Sequence, residues 1–397
     1  MSIDTGVVLA AGEGKRLRPL TRHRPKPMLP AADRPIIEHV FDGVLAAGVS
    51  ELHVVVGYGR DRIREHVGST YRDVPVTYHV QEKQLGSGHA LLQAQDAIDE
   101  RFLVANGDQV VDPSLVEDVA DAADRSDATA TLGVVERADA ARYGAIRLRD
   151  GLVTDLVERP HEGEYRLLNA GVYAFDPSVF DAIEDTPRER GSIHLPSTIA
   201  RLVEDDLVAG VRTDGYWTDA TYPWDLLSVA RQLLRSGRVD PPKRADGVWV
   251  ADSATVHERA TLRPPVVVSA DCQIAPNAVV GPNVAVRRYA TIDAGAVVRD
   301  SVVDDDARIG AGSVVVDSVL GQGVSLGPGS TIPGGTADVR VNDRIHEGRQ
   351  LGAVFADRAV ATGDVSCRPG VLVGPDATIG TGVTLDDNVP ADAEVRR

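Results

Sequence analysis

Apolar residues recur at every sixth position through much of the C-terminal part of this 397-residue chain. The spacing is unbroken over nine positions: Val250, Val256, Leu262, Val268, Ile274, Val280, Val286, Ile292 and Val298. After a slip of one residue it resumes twice, and it returns near the C-terminus: Val303, Ile309, Val315, then Leu320, Leu326, Ile332, and finally Val373, Ile379, Leu385. A strand repeats every second residue and a helix about every 3.6 residues, so neither explains this period. The period predicts a β-solenoid of short strands stacked coil upon coil. A valine-rich β-sandwich with coincidental spacing is the alternative.

The N-terminal region has a different pattern, in which short apolar runs alternate with amphipathic stretches. The runs "GVVLAA", "LHVVVGY", "VTYHV" and "FLVAN" predict strands of a parallel sheet. Between the first two runs, helical spacing joins Ile36, Ile37, Val40, Phe41, Val44 and Leu45, with Asp33 as the predicted N-cap. This order of strands and helix predicts an α/β domain with helices on both faces of the sheet. Ligands of such domains bind beyond the carboxyl ends of the strands.

The change of pattern predicts the limits of two domains. The segment "SGRVDPPKRADG", residues 236–247, carries prolines and charged residues and follows neither pattern. We therefore expect a first domain over residues 1–235, a linker over residues 236–247, and a repeat domain over residues 248–397.

The composition limits the partners that this chain can bind. A net charge of −17 and an isoelectric point near 5.0 disfavour a general affinity for nucleic acid or anionic membranes. The scarcity of lysine and the excess of acidic residues favour a halophilic protein, although a GC-rich genome would also favour arginine over lysine. Cys272 and Cys367 lack the spacing of a metal site, and the N-terminal apolar run is too short for a signal peptide or a membrane span. We expect a cytoplasmic protein that binds neither nucleic acid nor a membrane.

The segment "LAAGEGKRLRPLTRHRPKPMLP", Leu9–Pro30, combines glycines and basic residues directly after the first apolar run. It is not a P-loop, because Arg16 follows Gly14 and Lys15 where that loop needs Ser or Thr. It is not a dinucleotide-binding turn either, because Leu17 stands where that turn needs glycine. Its two glycines, at 12 and 14, would let the backbone approach phosphates closely, with fixed cations beside them. A solvated basic loop is the alternative.

Seven motifs, in order, resemble those of the sugar-1-phosphate nucleotidyltransferase family and together cover residues 1–230. They are "LAAGEGKRLRPLT" with "RPKPMLP", "QEKQLGSGHAL", "VANGDQV", "YGAI", "LVERP", "LNAGVY" and "GYWTDATYPWDLL". The resemblance implies a Rossmann-like nucleotidyltransferase domain in which a sugar-1-phosphate oxygen attacks the α-phosphorus of a nucleoside triphosphate and pyrophosphate leaves. No covalent enzyme intermediate is needed, so positioning and charge stabilisation do most of the catalysis.

The resemblance implies catalytic roles for Arg16, Lys26 and Asp108. Arg16 would hold the triphosphate, and Lys26 would lie between the attacking phosphate and the α-phosphate. Asp108 and Asp219 would bind Mg²⁺, which takes few carboxylates and completes its shell with phosphates and water. Arg22, His23 and Arg24 are expected to be solvated neighbours of this site.

The resemblance also implies two groups of substrate-binding residues. The nucleotide group comprises Leu9, Ala10, Gly12, Gly14, Gln81, Gly86 and Ser87, and the sugar group comprises Gly144, Glu158, Arg159 and Asn169. The amide of Gln81 suits the imide edge of uracil or thymine, and Ser87 is expected to cap the helix that follows it. The form "QLGSGHA" is closer to uridylyltransferases for N-acetylglucosamine-1-phosphate, so UTP and that sugar phosphate are favoured. The choice between UTP and dTTP stays open, and the alternatives are a glucose-1-phosphate thymidylyltransferase or uridylyltransferase and a non-catalytic subunit that senses sugar nucleotides.

The C-terminal half resembles the left-handed parallel β-helix of hexapeptide-repeat proteins, and in particular that of archaeal bifunctional enzymes that also acetylate glucosamine-1-phosphate. The resemblance implies a homo-oligomer, a trimer or a multiple of it. Relatives carry a His and a Tyr at the acetyltransferase motif, where this chain has Ala311 and Val314. The histidines of this half, His257 and His346, lie elsewhere in the sequence. We therefore expect that the fold was kept and the acetyltransferase activity was lost, with a bifunctional enzyme as the alternative.

Overall fold

The computed structural model describes residues 3–158, 160, 165–205 and 207–397. The chain forms two compact units that are not continuous in sequence: Met1–Glu13 with Ile36–Thr218, and Gly14–Pro35 with Asp219–Arg397. The segment that carries Lys26 thus belongs to the same unit as the repeats. The predicted limits at residues 235 and 248 divide the chain by sequence alone and stay a prediction.

The first unit is built on a ten-stranded mixed sheet. Across the sheet, the strands are Gly144–Arg149, Leu152–Glu158, Val208–Thr213, Ala130–Glu136, Leu167–Phe175, Phe102–Asn106, Thr5–Ala10, Glu51–Val56, Val74–Val80 and Thr70–Tyr71. The four predicted strands are confirmed, and they are parallel neighbours. The sheet departs from the expected parallel pattern at Leu167–Phe175, which is antiparallel to both of its neighbours. The strand Leu152–Glu158 is also antiparallel to both of its neighbours, and Thr70–Tyr71 is antiparallel to Val74–Val80. Short strands at Gln109–Val111 and Trp217–Asp219 stand outside this sheet.

Helices pack on both faces of this sheet, as the sequence predicts. The helices of the first unit are α1 (Ile36–Ala46), α2 (Arg60–Val67), α3 (Ser87–Leu92), α4 (Pro113–Asp124), α5 (Val179–Glu184) and α6 (Leu195–Glu204), and the second unit contains α7 (Asp225–Ser236). Short 3-10 helices lie at Lys15–Leu17, Leu20–Arg22, Lys26–Met28, Gln95–Ala97 and Ala140–Arg142. Helices α3, α5 and α6 share one apolar core with the sheet, and α1 and α4 pack together on the sheet as well.

The predicted N-cap of α1 is wrong. The helix begins at Ile36, whereas Asp33 lies between the short paired strands Pro30–Ala31 and Arg34–Pro35. The Asp33 carboxylate instead accepts a hydrogen bond from the backbone N–H of Asp240, at 2.9 Å.

The second unit contains the predicted solenoid, a parallel β-helix with three sheets. The first sheet comprises Lys243–Ala245, Val248–Val250, Val266–Val268, Val284–Val286, Val302–Val303, Val319–Leu320, Ala353–Phe355 and Val371–Val373. The second comprises Thr255–Val256, Gln273–Ile274, Thr291–Ile292, Arg308–Ile309, Ser325–Leu326, Val360–Ala361, Thr378–Ile379 and Glu394–Val395. The third comprises Thr261–Leu262, Val279–Val280, Val297–Arg299, Val314–Val316, Thr331–Ile332, Ser366–Cys367 and Thr384–Leu385. The left-handed winding of the chain around the β-helix stays a prediction.

The slips in the six-residue spacing follow from the length of the coils. Val268 pairs with Val286, eighteen residues later, whereas Val286 pairs with Val303, only seventeen residues later. Leu320 pairs with Phe355, because an antiparallel hairpin, Thr336–Val341 with Arg344–Gln350, leaves the β-helix between them. The apolar residues of the ladder fill the interior of the coils.

Helix α7 packs on part of the outer face of the first β-helix sheet. In the strands of this sheet, middle residues such as Val267 and Ala285 alternate with the residues that face the interior of the coils, so they face outward. They are nevertheless fully buried. Helix α7 packs against the strands Val284–Val286 and Val302–Val303. The repeats therefore share one folded unit with α7, which begins within the motif that contains Asp219.

Candidate active site

In the first unit, two neighbouring strands end where the sequence predicts the nucleotide site. Leu9, in the strand Thr5–Ala10, pairs with Asn106, which is the last residue of the strand Phe102–Asn106. The backbone N–H of Gly107 donates to the carbonyl of Leu9 at 2.9 Å, and Asp108 follows directly. The first motif and the predicted metal-binding aspartate therefore lie at the same edge of the sheet.

The loops that follow these strands approach one another closely. A Cβ atom on Gly57 would lie 2.8 Å from the carbonyl oxygen of Ala11 and 3.2 Å from that of Gln81. Gly12 differs, because it is exposed and a Cβ atom there would meet nothing within 4 Å. The loops are thus closely packed at Gly57 and open at Gly12.

Gln81 is buried, and its amide group is held by the segment that follows it. Its Nε2 atom donates to the carbonyl of Gly86 at 3.0 Å and lies 3.0 Å from Nδ1 of His89. Burial and the nearby Arg188 lower the pKa of His89, which favours the neutral ring that can accept this bond. Sequence reasoning missed His89.

The predicted cap at Ser87 is wrong. Ser87 is the first residue of α3, and Gly86 occupies the N-cap position without any side-chain cap. The Ser87 hydroxyl oxygen instead accepts a hydrogen bond from the backbone N–H of Leu195, at 3.0 Å. Gly86 itself has a positive φ of 97°, and a Cβ atom there would lie 2.1 Å from the carbonyl oxygen of Ile193. Both residues thus fix this loop against the segment before α6.

The predicted sugar-binding residues Gly144, Glu158 and Asn169 lie together. Gly144 and Glu158 are register partners on antiparallel strands. A Cβ atom on Gly144 would lie 2.8 Å from Oε1 of Glu158 and 3.7 Å from Cβ of Asn169. Arg159, the fourth predicted member of this group, lies outside the described residues.

Tyr173 is a buried residue of this region that sequence reasoning missed. Its hydroxyl accepts a hydrogen bond from Nδ2 of Asn169 at 2.8 Å, while Oδ1 of Asn169 accepts one from Gly171 at 3.0 Å. Burial raises the pKa of Tyr173, and the negative charges of Glu158 and Asp108 raise it further. The hydroxyl therefore stays protonated and orients the Asn169 amide.

In the second unit, Lys26 and Asp219 form an ion pair, with 2.7 Å between Nζ and Oδ1. About nine-tenths of each side chain is buried, since their exposed fractions are 10% and 11%. The second oxygen of Asp219 accepts a hydrogen bond from the hydroxyl of Thr221. A residue from the first motif is thus in contact with one from the last motif.

The loop that carries Lys26 folds back on Gly14. Gly14 has a positive φ of 68°, and a Cβ atom there would lie 2.9 Å from Cβ of Lys26. The Thr21 hydroxyl donates to the carbonyl of Gly14 at 2.9 Å. Arg16 is exposed and lies on the 3-10 helix Lys15–Leu17. Glycine at position 14 is therefore required by the shape of the loop itself.

The expected solvation of Arg24 is wrong, while Arg22 is exposed as expected. Arg24 is buried and forms ion pairs with Asp304 and Asp357 of the β-helix. His23 is partly exposed, with its Nε2 atom 3.2 Å from the carboxylate of Asp376. The segment that contains His23 and Arg24 therefore contacts the β-helix through its side chains.

Asp225 is the first residue of α7. Its carboxylate accepts hydrogen bonds from the backbone N–H groups of Thr221 and Tyr222, at 3.0 and 2.7 Å. Burial raises its pKa to about 6, and the charge of Asp219 adds to this rise. Asp225 therefore holds the turn that follows Asp219.

Over the described ranges, no group of three or more His, Cys, Asp or Glu residues is placed to hold a metal ion. This does not test the Mg²⁺ prediction, which invokes two aspartates and phosphate oxygens. In the same ranges, no helix combines the length and the hydropathy that crossing a membrane would require.

Comparison with known proteins agrees with the motifs. The family model described as "Nucleotidyl transferase" matches residues 5–236, and the one described as "GMPPB C-terminal domain" matches residues 262–349. The "Bifunctional protein GlmU" of Methanococcus maripaludis strain S2 is 31% identical over 412 residues, which cover 98% of this chain and 96% of the relative. The "UTP--glucose-1-phosphate uridylyltransferase AglF" of Haloferax volcanii is 39% identical over 231 residues, which cover 57% of this chain and 95% of the relative.

The fold of the first unit also has solved counterparts. A UDP-glucose pyrophosphorylase from Acinetobacter baumannii superposes with a TM-score of 0.54 at 22% identity, covering 59% of this chain and 94% of that chain. This likeness concerns the fold alone.

Proposed function

The chain belongs to the nucleotidyl transferase family, as a sugar-1-phosphate nucleotidyltransferase, and we propose that it transfers a uridylyl group from UTP to N-acetylglucosamine-1-phosphate. The observation that carries the proposal is the shared sheet edge at which the first motif, Gln81 and Asp108 follow parallel strands. Nucleotide sites of α/β sheets lie at this edge.

The environment of Gln81 supports a pyrimidine base. Gly86 and His89 engage both amide hydrogens of Gln81. The amide oxygen is therefore the group with which Gln81 would meet the base, and it would accept the N3–H of uracil. The same contact would suit thymine, so dTTP is the competing nucleotide.

Charge and position would supply the catalysis. Arg16 would bind the triphosphate with its planar set of donors, and Lys26 would bring the sugar phosphate and the α-phosphate together against their mutual repulsion. Asp108 and Asp219 offer the carboxylate oxygens that Mg²⁺ prefers, and the ion would neutralise triphosphate charge when bound. Gly144, Glu158 and Asn169 would bind the hydroxyl or acetamido groups of the hexose.

A pyrophosphate-release matrix tests this proposal. UTP, dTTP, ATP and GTP are each combined with the 1-phosphates of N-acetylglucosamine, glucose, galactose and mannose, with Mg²⁺, at low and high KCl. We expect the highest kcat/KM for UTP with N-acetylglucosamine-1-phosphate. A purine nucleotide as the best substrate would contradict the assignment of Gln81.

Glucose-1-phosphate is the second candidate sugar. The Haloferax relative named for that substrate is 39% identical over 231 residues, whereas the Methanococcus relative is 31% identical over 412 residues. A higher kcat/KM for glucose-1-phosphate in the same matrix would favour this candidate.

The Mg²⁺ role of Asp108 has a separate test. Asp108→Asn keeps the shape of the side chain and removes its charge, so we expect kcat to fall ~10²–10³-fold and the half-saturating Mg²⁺ concentration to rise. Asp61→Asn, which removes an exposed charge from α2, is the matched control. Wild-type Mg²⁺ dependence in Asp108→Asn would contradict the role.

We also propose that the β-helix has no acetyltransferase activity. His346 lies against Tyr222 and Trp224, with ring centroids 4.4 and 5.2 Å away, and Nδ1 of His257 accepts a hydrogen bond from Arg259. Both histidines are thus engaged outside the motif of Ala311 and Val314. Release of free thiol from acetyl-CoA with glucosamine-1-phosphate would contradict this proposal.

A further inference from the structure

We propose that Arg24 is a positioning residue for nucleotidyl transfer, because it anchors the Lys26 loop to two carboxylates of the β-helix. The inference rests on the proposed role of Lys26 in catalysis. It assigns the repeats a task in the transferase reaction itself, in place of the acetyl transfer that they are expected to have lost.

The anchor is a buried group of charges. One guanidinium nitrogen of Arg24 lies 2.5 Å from Oδ2 of Asp304 and 2.8 Å from Oδ1 of Asp357. The exposed fractions of the three side chains are 7%, 0% and 5%. An arginine whose role was only to provide a solvated positive charge would not be expected to lie in this environment.

Backbone N–H groups of the β-helix donate hydrogen bonds to both of the carboxylates that Arg24 contacts. Oδ1 of Asp304 accepts the backbone N–H of Asp305 at 2.9 Å, and Arg287 lies 3.0 Å from the same oxygen. The two guanidinium groups hold the pKa of Asp304 below its ordinary value, despite the opposing effect of burial. Asp304 therefore presents a charged, immobile acceptor.

Asp357 lies in a later coil, where burial raises its pKa and the charge of Arg24 opposes that rise. Its Oδ1 accepts the backbone N–H of Gln322 at 3.1 Å. A Cβ atom on Gly321 would lie 2.7 Å from that oxygen, so glycine in the intervening coil leaves room for the carboxylate. Arg24 thus joins two coils of the β-helix to one point of the loop.

The chain between Arg24 and Lys26 is stiff. Pro25 links them and Pro27 follows Lys26, and each ring fixes one backbone dihedral angle. The next backbone N–H groups, those of Met28 and Leu29, donate to the carbonyls of Pro25 and Lys26 at 2.9 and 3.0 Å. The position of Arg24 therefore determines that of Lys26 closely.

The test compares Arg24→Ala, Arg24→Lys and Asp357→Asn with the wild-type chain. Arg368→Ala is the matched control, because it removes an arginine from an exposed ion pair of the same unit. Steady-state pyrophosphate release gives kcat and KM, thermal unfolding reports folding, and hydrogen exchange is followed in peptides from residues 14–35.

We expect Arg24→Ala to lower kcat by about 10²-fold, the scale of a 1 Å displacement of a reacting group. Exchange in residues 14–35 should rise, and Arg24→Lys should recover part of kcat, because a single ammonium replaces the planar guanidinium. In a Lys26→Ala background, Arg24→Ala should change kcat little, since it acts through Lys26. Additive losses, or wild-type kcat in Arg24→Ala, would overturn the inference.

Two further outcomes are distinguishable. If Arg24→Ala does not fold, Asp357→Asn carries the test, and unchanged kcat and exchange in that variant would overturn the inference. If the wild-type chain releases no pyrophosphate with any substrate pair, the proposed function fails. The anchor is then judged by exchange, and unchanged exchange in Arg24→Ala would overturn it.

Discussion

The ammonium group of Lys26 lies 2.7 Å from a carboxylate oxygen of Asp219, 193 residues further along the chain. The first residue comes from the motif assigned to phosphate binding and the second from the motif assigned to metal binding. Because both side chains are largely buried, each charge offsets the cost of burying the other. The aspartate thus holds the lysine in place.

Lys26→Ala should lower kcat for pyrophosphate release by ~10²–10³-fold, the scale of losing one preorganised charge contact. The variant also leaves the Asp219 carboxylate without this cation in a largely buried place. Lys243→Ala is the control, since that lysine pairs with Asp246 on the surface. Turnover near the wild-type value in Lys26→Ala would contradict the catalytic assignment.

The elements of the fold that follow from the local spacing of apolar residues could be predicted from the sequence. The four parallel strands of the first unit and the coils from Val250 to Ile332 follow from apolar spacing, because burial repeats with the backbone geometry. One coil was missed. Phe355, Ala361 and Cys367 continue the six-residue spacing before Val373, but Ala361 is small and cysteine is an unusual residue for this interior position.

Contacts between distant segments could not be predicted. The residues near Arg24 in sequence do not indicate that it contacts Asp304 and Asp357, and a run of basic residues is more often solvated. The same limit explains Ser87, whose residue type suits a cap but whose hydroxyl contacts Leu195. For the site, motifs identified Gly144, Glu158 and Asn169 as a group, but not the buried Tyr173 that orients Asn169.

Gly12→Ala should separate substrate binding from folding. A Cβ atom there meets nothing within 4 Å, so the melting temperature should stay unchanged. If the backbone at Gly12 approaches the triphosphate, the added methyl group should raise KM for UTP about tenfold, or about 1.4 kcal/mol. Gly43→Ala is the control, because a Cβ atom on this residue of α1 would lie 3.4 Å from Cγ2 of Val116, which is an ordinary contact. An unchanged KM for UTP in Gly12→Ala would contradict close approach at this position.

Gly144→Ala should weaken binding of the sugar phosphate alone. The new Cβ would lie 2.8 Å from Oε1 of Glu158, so the flexible carboxylate must move. We expect KM for the sugar phosphate to rise about tenfold while KM for UTP stays unchanged. If the effect passes through Glu158, then Gly144→Ala should add little to Glu158→Ala. Equal increases in both KM values would show that the change disturbs more than the sugar site.

Asp33→Asn should stabilise the protein at neutral pH and not under acidic conditions. Burial raises the pKa of Asp33 to about 6, from 3.8 in an unfolded chain. The folded state therefore holds this proton more tightly, and the resulting stability is lost as pH rises from about 4 to about 6. Asparagine has the same shape, carries no charge, and can still accept the N–H of Asp240. The variant should match the wild type below pH 4 and exceed its free energy of unfolding by about 3 kcal/mol at pH 7, measured in urea. Asp387→Asn controls for the loss of an exposed charge. A difference between Asp33→Asn and wild type that is independent of pH would contradict the assigned pKa.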